Sequence, residues 1–121
     1  MYSTKISHFL FVATIALVVT ACGGSDSQPP LKLAKSVENL QCRPPRFPPS
    51  FLDAELAATG ANVLSKSCAF DGLGRAAACD TPAPYLRLIE IPSTQAELVR
   101  PIGYEALSEF AQIIPINCPS Q

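Results

Sequence analysis

Five cysteines, one histidine and ten carboxylates are the side chains through which this 121-residue chain could do metal, redox or acid–base chemistry. Zinc ligation and thiol redox catalysis both want cysteines in close pairs such as Cys-x-x-Cys, because two ligands or two exchanging sulfurs must converge. Here the nearest two, Cys68 and Cys79, stand eleven positions apart. The single histidine, His8, lies ahead of an apolar opening run, so Ser-His, Cys-His and His-ligated metal chemistry lack their base or ligand in the rest of the chain. The carboxylates are scattered singly, and nothing in their spacing brings two together for acid–base work. Glu90 and Arg87 share the most apolar segment, but period-two alternation sends them to opposite faces. Asp71-Gly72-Leu73-Gly74 has one acid and two glycines, far short of an EF-hand or a phosphate loop, and reads as a tight turn. Arg100, beside Pro101 and near Tyr104, is a candidate for a binding patch with no partner implied. No metal, no cofactor and no catalysis are expected.

Composition excludes a further class. A net charge of −1 is unlike a protein that tracks phosphates with clustered Lys and Arg, so no nucleic-acid partner is expected. The mean hydropathy of +0.23 averages two unlike pieces, for all twelve prolines and all six glycines lie beyond residue 21. Residues 1–8 are polar with one cation, Lys5, and no acid; Phe9 to Thr20 then form an apolar run. That run is short of the roughly 20 residues a spanning helix needs and has the length of a signal-peptide core.

The run ends in Val19-Thr20-Ala21-Cys22, followed by Gly23-Gly24-Ser25. This resembles the lipobox of bacterial lipoproteins, in which an aliphatic residue and small residues precede an obligatory cysteine. The resemblance covers about the first 25 residues. It implies that residues 1–21 are a signal peptide cut after Ala21, that the Cys22 thiol carries a diacylglyceryl group, and that the chain is held to a membrane through that lipid. Several buried acyl chains give stable anchoring where one is marginal. By the same resemblance Gly23, in place of the Asp that retains many lipoproteins in the inner membrane, favours the outer membrane, facing the periplasm. Without Lys5 the mature chain has eight cations against ten acids, a side-chain net charge of −2.

With Cys22 assigned to the lipid, Cys42, Cys68, Cys79 and Cys118 remain, and an even number in a small exported chain reads as two disulfides. Three connectivities are open. Cys68–Cys79 with Cys42–Cys118 is favoured, because Cys68 and Cys79 flank the glycine turn and would face each other across a hairpin. Loops of about 12 and 77 residues are then worth about 3 and 4.5 kcal/mol in the chain-entropy picture. For a domain of about 80–90 residues such terms rival the whole net stability.

The elements that must position these residues follow in order. Residues 22–30 are the lipidated cysteine and a tether, flexible at first and stiffer at its prolines; residues 31–121 are one small domain. Leu31 to Leu40 partly fits a helical stripe and is expected as a short helix or an ordered arm. Arg43-Pro44-Pro45-Arg46-Phe47-Pro48-Pro49 is extended or polyproline II backbone, with a formal Pro-x-x-Pro at 45–48 that reads more readily as a stiff connector than as a ligand for an aromatic groove. Ser50 is the expected N-cap of a helix over 51–58, with Asp53 in its first turn and Gly60 ending it. A strand over 61–70, the glycine turn and a return strand over 75–79 follow. Tyr85 to Ile91 is the clearest strand, with Pro92 closing it. Thr94 and Glu97 predict a capping box for a helix from Gln95 to about Arg100. Tyr104 to Ala111 has helical composition, and Ile113 to Cys118 reads as extended. The fold class is α+β: an antiparallel meander of about three strands with two or three short helices on one face, stapled by two disulfides.

The expected role is that of a lipid-anchored cell-envelope protein acting as a non-catalytic binding or structural module, with a protein partner in the envelope. A different class, a periplasmic inhibitor or immunity protein against a hydrolase or toxin, suits the same size and anchor. An enzyme built on carboxylates or backbone donors is the third reading, and the missing bases weigh against it.

Overall fold

Residues 29–120 are described by the computed structural model. The expected signal segment, Cys22 and most of the expected tether lie outside the described residues.

The chain enters through β1, Pro30–Val37, an eight-residue strand rather than the helix or arm expected from residue 31. Leu31, Leu33 and Val37 fit period two as well as a helical stripe. Pairing decides between them: β1 lies antiparallel along the whole length of β3, Tyr85–Pro92, in a register running from Pro30↔Pro92 to Val37↔Tyr85. The proline-rich stretch then leads into α1, Pro49–Thr59. Two starting expectations fail here for one reason. The helix begins with Pro49 in its first turn, where a missing N–H costs nothing, so Ser50 is already inside it and Asp53 lies beyond the first turn. Gly60 ends it as expected, with φ 75° and its N–H on the Ala57 carbonyl. Phe47, at the centre of the Pro-x-x-Pro motif, packs against the core cluster of Val37, Leu52, Cys68 and Tyr85, as a connector laid along the domain would.

β2, Ser65–Phe70, is shorter than expected and pairs antiparallel with β3. No return strand forms at 75–79. The Asp71 carboxylate accepts from the Leu73 N–H and from the Arg75 guanidinium, and Gly72 turns at φ 73°. From there residues 73–78 run without regular structure to Cys79. After β3 the chain coils through 3-10 turns at Ser93–Gln95 and Arg100–Ile102 around α2, Ala96–Val99. Because coiling starts at Ser93, Thr94 is inside it and forms no capping box; Glu97 pairs instead with Arg100 at 3.0 Å. Residues 104–111, left open by a composition that suits a helix, hold β4, Glu105–Ala106, a 3-10 turn at Leu107–Glu109 and irregular chain. The extended C-terminal run holds β5, Ile114–Ile116.

The result is an α+β fold with a five-stranded antiparallel sheet in the order β4-β1-β3-β2-β5. It is larger than the expected three-strand meander, and β1 parts from β2 by having β3 inserted between them. Strands one to four, with α1 and α2 between them, have the connectivity and order of the split βαβ, ferredoxin-like arrangement; β5 is added outside β2. Both helices lie on one face. Leu33, Ile89 and Ile91 from the sheet meet Leu56, Val99 and Tyr104 there. β4 and β5 sit on opposite edges, so residues 107–113 traverse the sheet. Their first turn packs on β1, and on the face the helices leave free Ala34, Leu86 and Ala69 are buried.

The disulfides are Cys42–Cys79 and Cys68–Cys118, not the expected Cys68–Cys79 and Cys42–Cys118. The glycine turn does not close a hairpin, so nothing brings Cys79 back opposite Cys68. Cys68 instead faces β5, pairing with Ile116 two residues before Cys118. Cys79 is carried to Cys42 by backbone pairing of residues 80–83 with residues 39–41.

Candidate functional site

Immediately after Val37 and immediately before Tyr85, two irregular segments leave the same end of the sheet side by side. Gln41 N–H donates to the Thr81 carbonyl and Asp80 N–H to the Gln41 carbonyl, each at 3.0 Å, and Ala83 N–H to the Asn39 carbonyl at 2.8 Å. Leu40 and Pro82 form an isolated antiparallel bridge, and Cys42–Cys79 staples the pair. Prolines cannot donate to a ladder, so these segments stop at a bridge instead of extending the sheet. Between them lies a groove of about 390 Å³ whose walls include Leu40, Pro44, Pro82 and Pro84, with Arg43 and Arg46.

The groove is mostly apolar with charges set in pairs around it. Arg43 is bound to Asp80 through both guanidinium and carboxylate arms, and Arg46 to Glu38 at 2.9 Å. Both pairs are exposed, so they orient side chains more than they stabilise the fold. Leu40 is 43 % exposed, an apolar side chain held open to solvent by the backbone bridge at its own residue. Asn39 has its side-chain oxygen buried without a partner. Cys42 and Asp80 have φ of 62° and 64°, and among the described residues they are the only non-glycines in the left-handed region.

Position gives the groove its interest. β1 rises roughly 26 Å over its eight residues. The chain enters the sheet at Pro30, and the groove begins at the residues that follow Val37, so entry and groove lie at opposite ends of the sheet.

A second polar constellation lies between α1 and the sheet. Arg87, in the middle of β3, is 4 % exposed, and its Nη2 donates to Asp53 Oδ1 at 2.7 Å. Lys66 Nζ reaches the same oxygen at 3.0 Å, and Lys35 Nζ reaches Glu55 Oε2 at 2.6 Å. Arg87 Nη1 also lies 3.9 Å from Cys118 Sγ. The Lys35 ammonium stands 5.8 Å from the centre of the Tyr104 ring. Arg87 Nε and the Tyr104 hydroxyl are buried without partners. Burial pushes the Tyr104 phenol up to about 12, with the Arg87 charge pulling the other way, so it is protonated at neutral pH and is no base. Asp53 is engaged by two cations. The constellation therefore ties helix to sheet and offers no proton-transfer pair. Among the described residues no three His, Cys, Asp or Glu side chains converge to hold a metal ion.

The remaining residues singled out from the sequence are dispersed. Glu90 lies on the face opposite Arg87, as alternation requires, and accepts from the Ser65 hydroxyl at 2.9 Å. Arg100 pairs with Glu97. It shares with Tyr104 the wall of a hollow of about 320 Å³ beside β4. Asp71 is held below the usual carboxylate range by its hydrogen bonds from Arg75, with burial opposing and the Leu73 N–H assisting. Cys22 is outside the described residues. In the sequence the groove residues Leu40, Pro82 and Pro84 read only as the end of an arm and a break. Their one legible signal was that prolines cluster at 44–49 and again at 82–84.

The chain matches no family model, no curated protein and no solved structure.

Proposed function

We propose that this chain is a lipid-anchored protein of the bacterial cell envelope whose domain binds a partner protein through the disulfide-clamped groove around Leu40, Pro44, Pro82 and Pro84. One observation carries the reading: the groove lies at the end of the sheet opposite Pro30, where the chain arrives from the lipobox cysteine. A domain tethered through residues 23–29 would direct that end away from the membrane. A mostly apolar concavity rimmed by a few fixed charges is the usual form of a recognition site. The sequence supports the anchor through the ordered sequence of Lys5, the apolar run, Val19-Thr20-Ala21 and Cys22.

Two measurements test the two halves. Replacing Cys22→Ser should move the protein from the membrane fraction to the soluble envelope fraction; continued membrane partitioning would end the anchor reading. A photo-crosslinking residue at Leu40 should give a discrete crosslinked species in intact cells. The same probe at Leu64, exposed beside the start of β2 at the other end of the sheet, should not. Equal crosslinking from both positions would remove the groove from the proposal.

A further inference from the structure

We infer that Cys42–Cys79 is a redox-labile clamp, opened by thiol–disulfide exchange with a dithiol while Cys68–Cys118 stays closed, and that its opening releases the walls of the groove. Three observations converge on it. Both Cys42 and Cys79 are exposed, so an attacking thiolate has access to either sulfur, whereas Cys68 is 2 % exposed within the cluster of Val37, Leu52 and Tyr85. Cys118 is itself exposed, with the Arg87 guanidinium nearby, but its partner Cys68 is buried, so that bridge offers only one exposed residue to an attacking thiolate. The chain on each side of the clamp is also strained: Cys42 itself and Asp80, next to Cys79, hold the left-handed backbone that side chains disfavour. Breaking the bond lets both residues relax. Finally, what remains to hold the two segments together lies outside the sheet: backbone hydrogen bonds from Gln41, Asp80 and Ala83, the Gln41 side-chain amide on the Ala76 carbonyl, and the exposed Arg43–Asp80 pair, which is worth little in water.

The exchange balances without any other reagent. A thiolate of the dithiol attacks Sγ of Cys42 or Cys79, the protein S–S bond breaks, and the expelled thiolate takes up a proton. The dithiol's second thiolate then displaces the protein sulfur from the mixed disulfide. The reagent leaves as a disulfide, and the protein has gained two electrons and two protons.

The order of exchange does not depend on what the groove binds, so it can be tested separately from the proposed function. The folded, oxidised chain would be exposed to a graded series of dithiothreitol, quenched with N-ethylmaleimide and mapped by mass spectrometry. Cys42 and Cys79 should be labelled at least tenfold faster than Cys68 and Cys118. Hydrogen exchange on the selectively reduced protein should then show lost protection at Gln41, Asp80 and Ala83, with the amides of β1 and β3 unchanged. The double replacement Cys42→Ser with Cys79→Ser should fold and reproduce that exchange pattern. Labelling of Cys68 and Cys118 first, or at the same rate, would overturn the clamp. Retained protection at the three amides after reduction would overturn its control of the groove.

Discussion

Arg87 Nη2 lies 2.7 Å from Asp53 Oδ1, joining the middle of the central strand β3 to helix α1 across the layer that separates them. Arg87 is almost wholly buried, while the Asp53 side chain is 42 % exposed. The pair is therefore asymmetric, with the cation more in need of its partner than the anion.

Asp53→Ala should accordingly destabilise the domain by about 2 kcal/mol, below the 3–5 typical of fully buried pairs because Asp53 keeps some contact with water. Lys66 also loses its partner, but it is exposed and easily solvated. Adding Arg87→Met should recover part of the loss, since an apolar side chain of similar length needs no counter-charge in that position. Urea unfolding of the two single variants and the double variant measures the coupling. A cost near zero for Asp53→Ala would mean that Arg87 is satisfied elsewhere.

Tyr104 gives a prediction on the alkaline side. Its phenol ionises near 10 in an unfolded chain and about 12 in the fold. Raised in this way, the group's contribution is fully present below pH 10 and is lost as pH rises from there toward 12, because the unfolded state releases its proton first. Tyr104→Phe should flatten this part of the stability profile. It also removes a buried hydroxyl without a partner, so at neutral pH the variant should be equal to the parent or up to about 1 kcal/mol more stable. Thermal unfolding of both proteins between pH 7 and 11 reads both effects.

Asp71 acts in the opposite direction. With its carboxyl depressed by Arg75, its contribution is present above the ordinary carboxylate range and is lost as pH falls through the lower value it has in the fold. Asp71→Asn should lower stability at neutral pH and make the acid limb of the profile shallower. Wild type and variant should converge at low pH, and divergence there would count against the assignment.

The disulfide pairing can be read directly. Digestion without reductant should yield peptides joining Cys42 to Cys79 and Cys68 to Cys118. With sequence separations of 37 and 50, each bridge is worth about 4 kcal/mol in the chain-entropy picture. Replacing Cys68→Ala with Cys118→Ala should cost more than removing the other pair, since Cys68 also packs in the core. Linked peptides in the other arrangement would refute the topology around β5.

The parts of the fold legible in the sequence are those whose cause is local. Alternation over Tyr85 to Ile91 marked β3, and Gly60 marked the end of α1 through its left-handed backbone. β1 was ambiguous because Leu31, Leu33 and Val37 satisfy both periods, and only its partner β3 decides. At Tyr104 to Ala111 helical composition lost to topology: the chain had to extend along β1 at Glu105–Ala106 and then cross to the far edge. The cysteine pairing failed through a local argument about a turn that is real at Gly72 but leads to no second strand. The groove was illegible for a related reason. Its walls come from residues 38–46 and 82–84, brought together only when Val37 pairs with Tyr85.

The pairing of β1 with distant segments governs when this chain can fold. Every partner of β1 within β3 lies at Tyr85 or beyond, and its other neighbour begins at Glu105. An emerging chain that stops before Tyr85 has no sheet to build on its first strand, and long-range pairing of this kind is slow even when complete. For a protein read as exported, that delay is useful. Most of the polypeptide stays extended and threadable while it is still short, and the sheet closes only after nearly the whole domain is available.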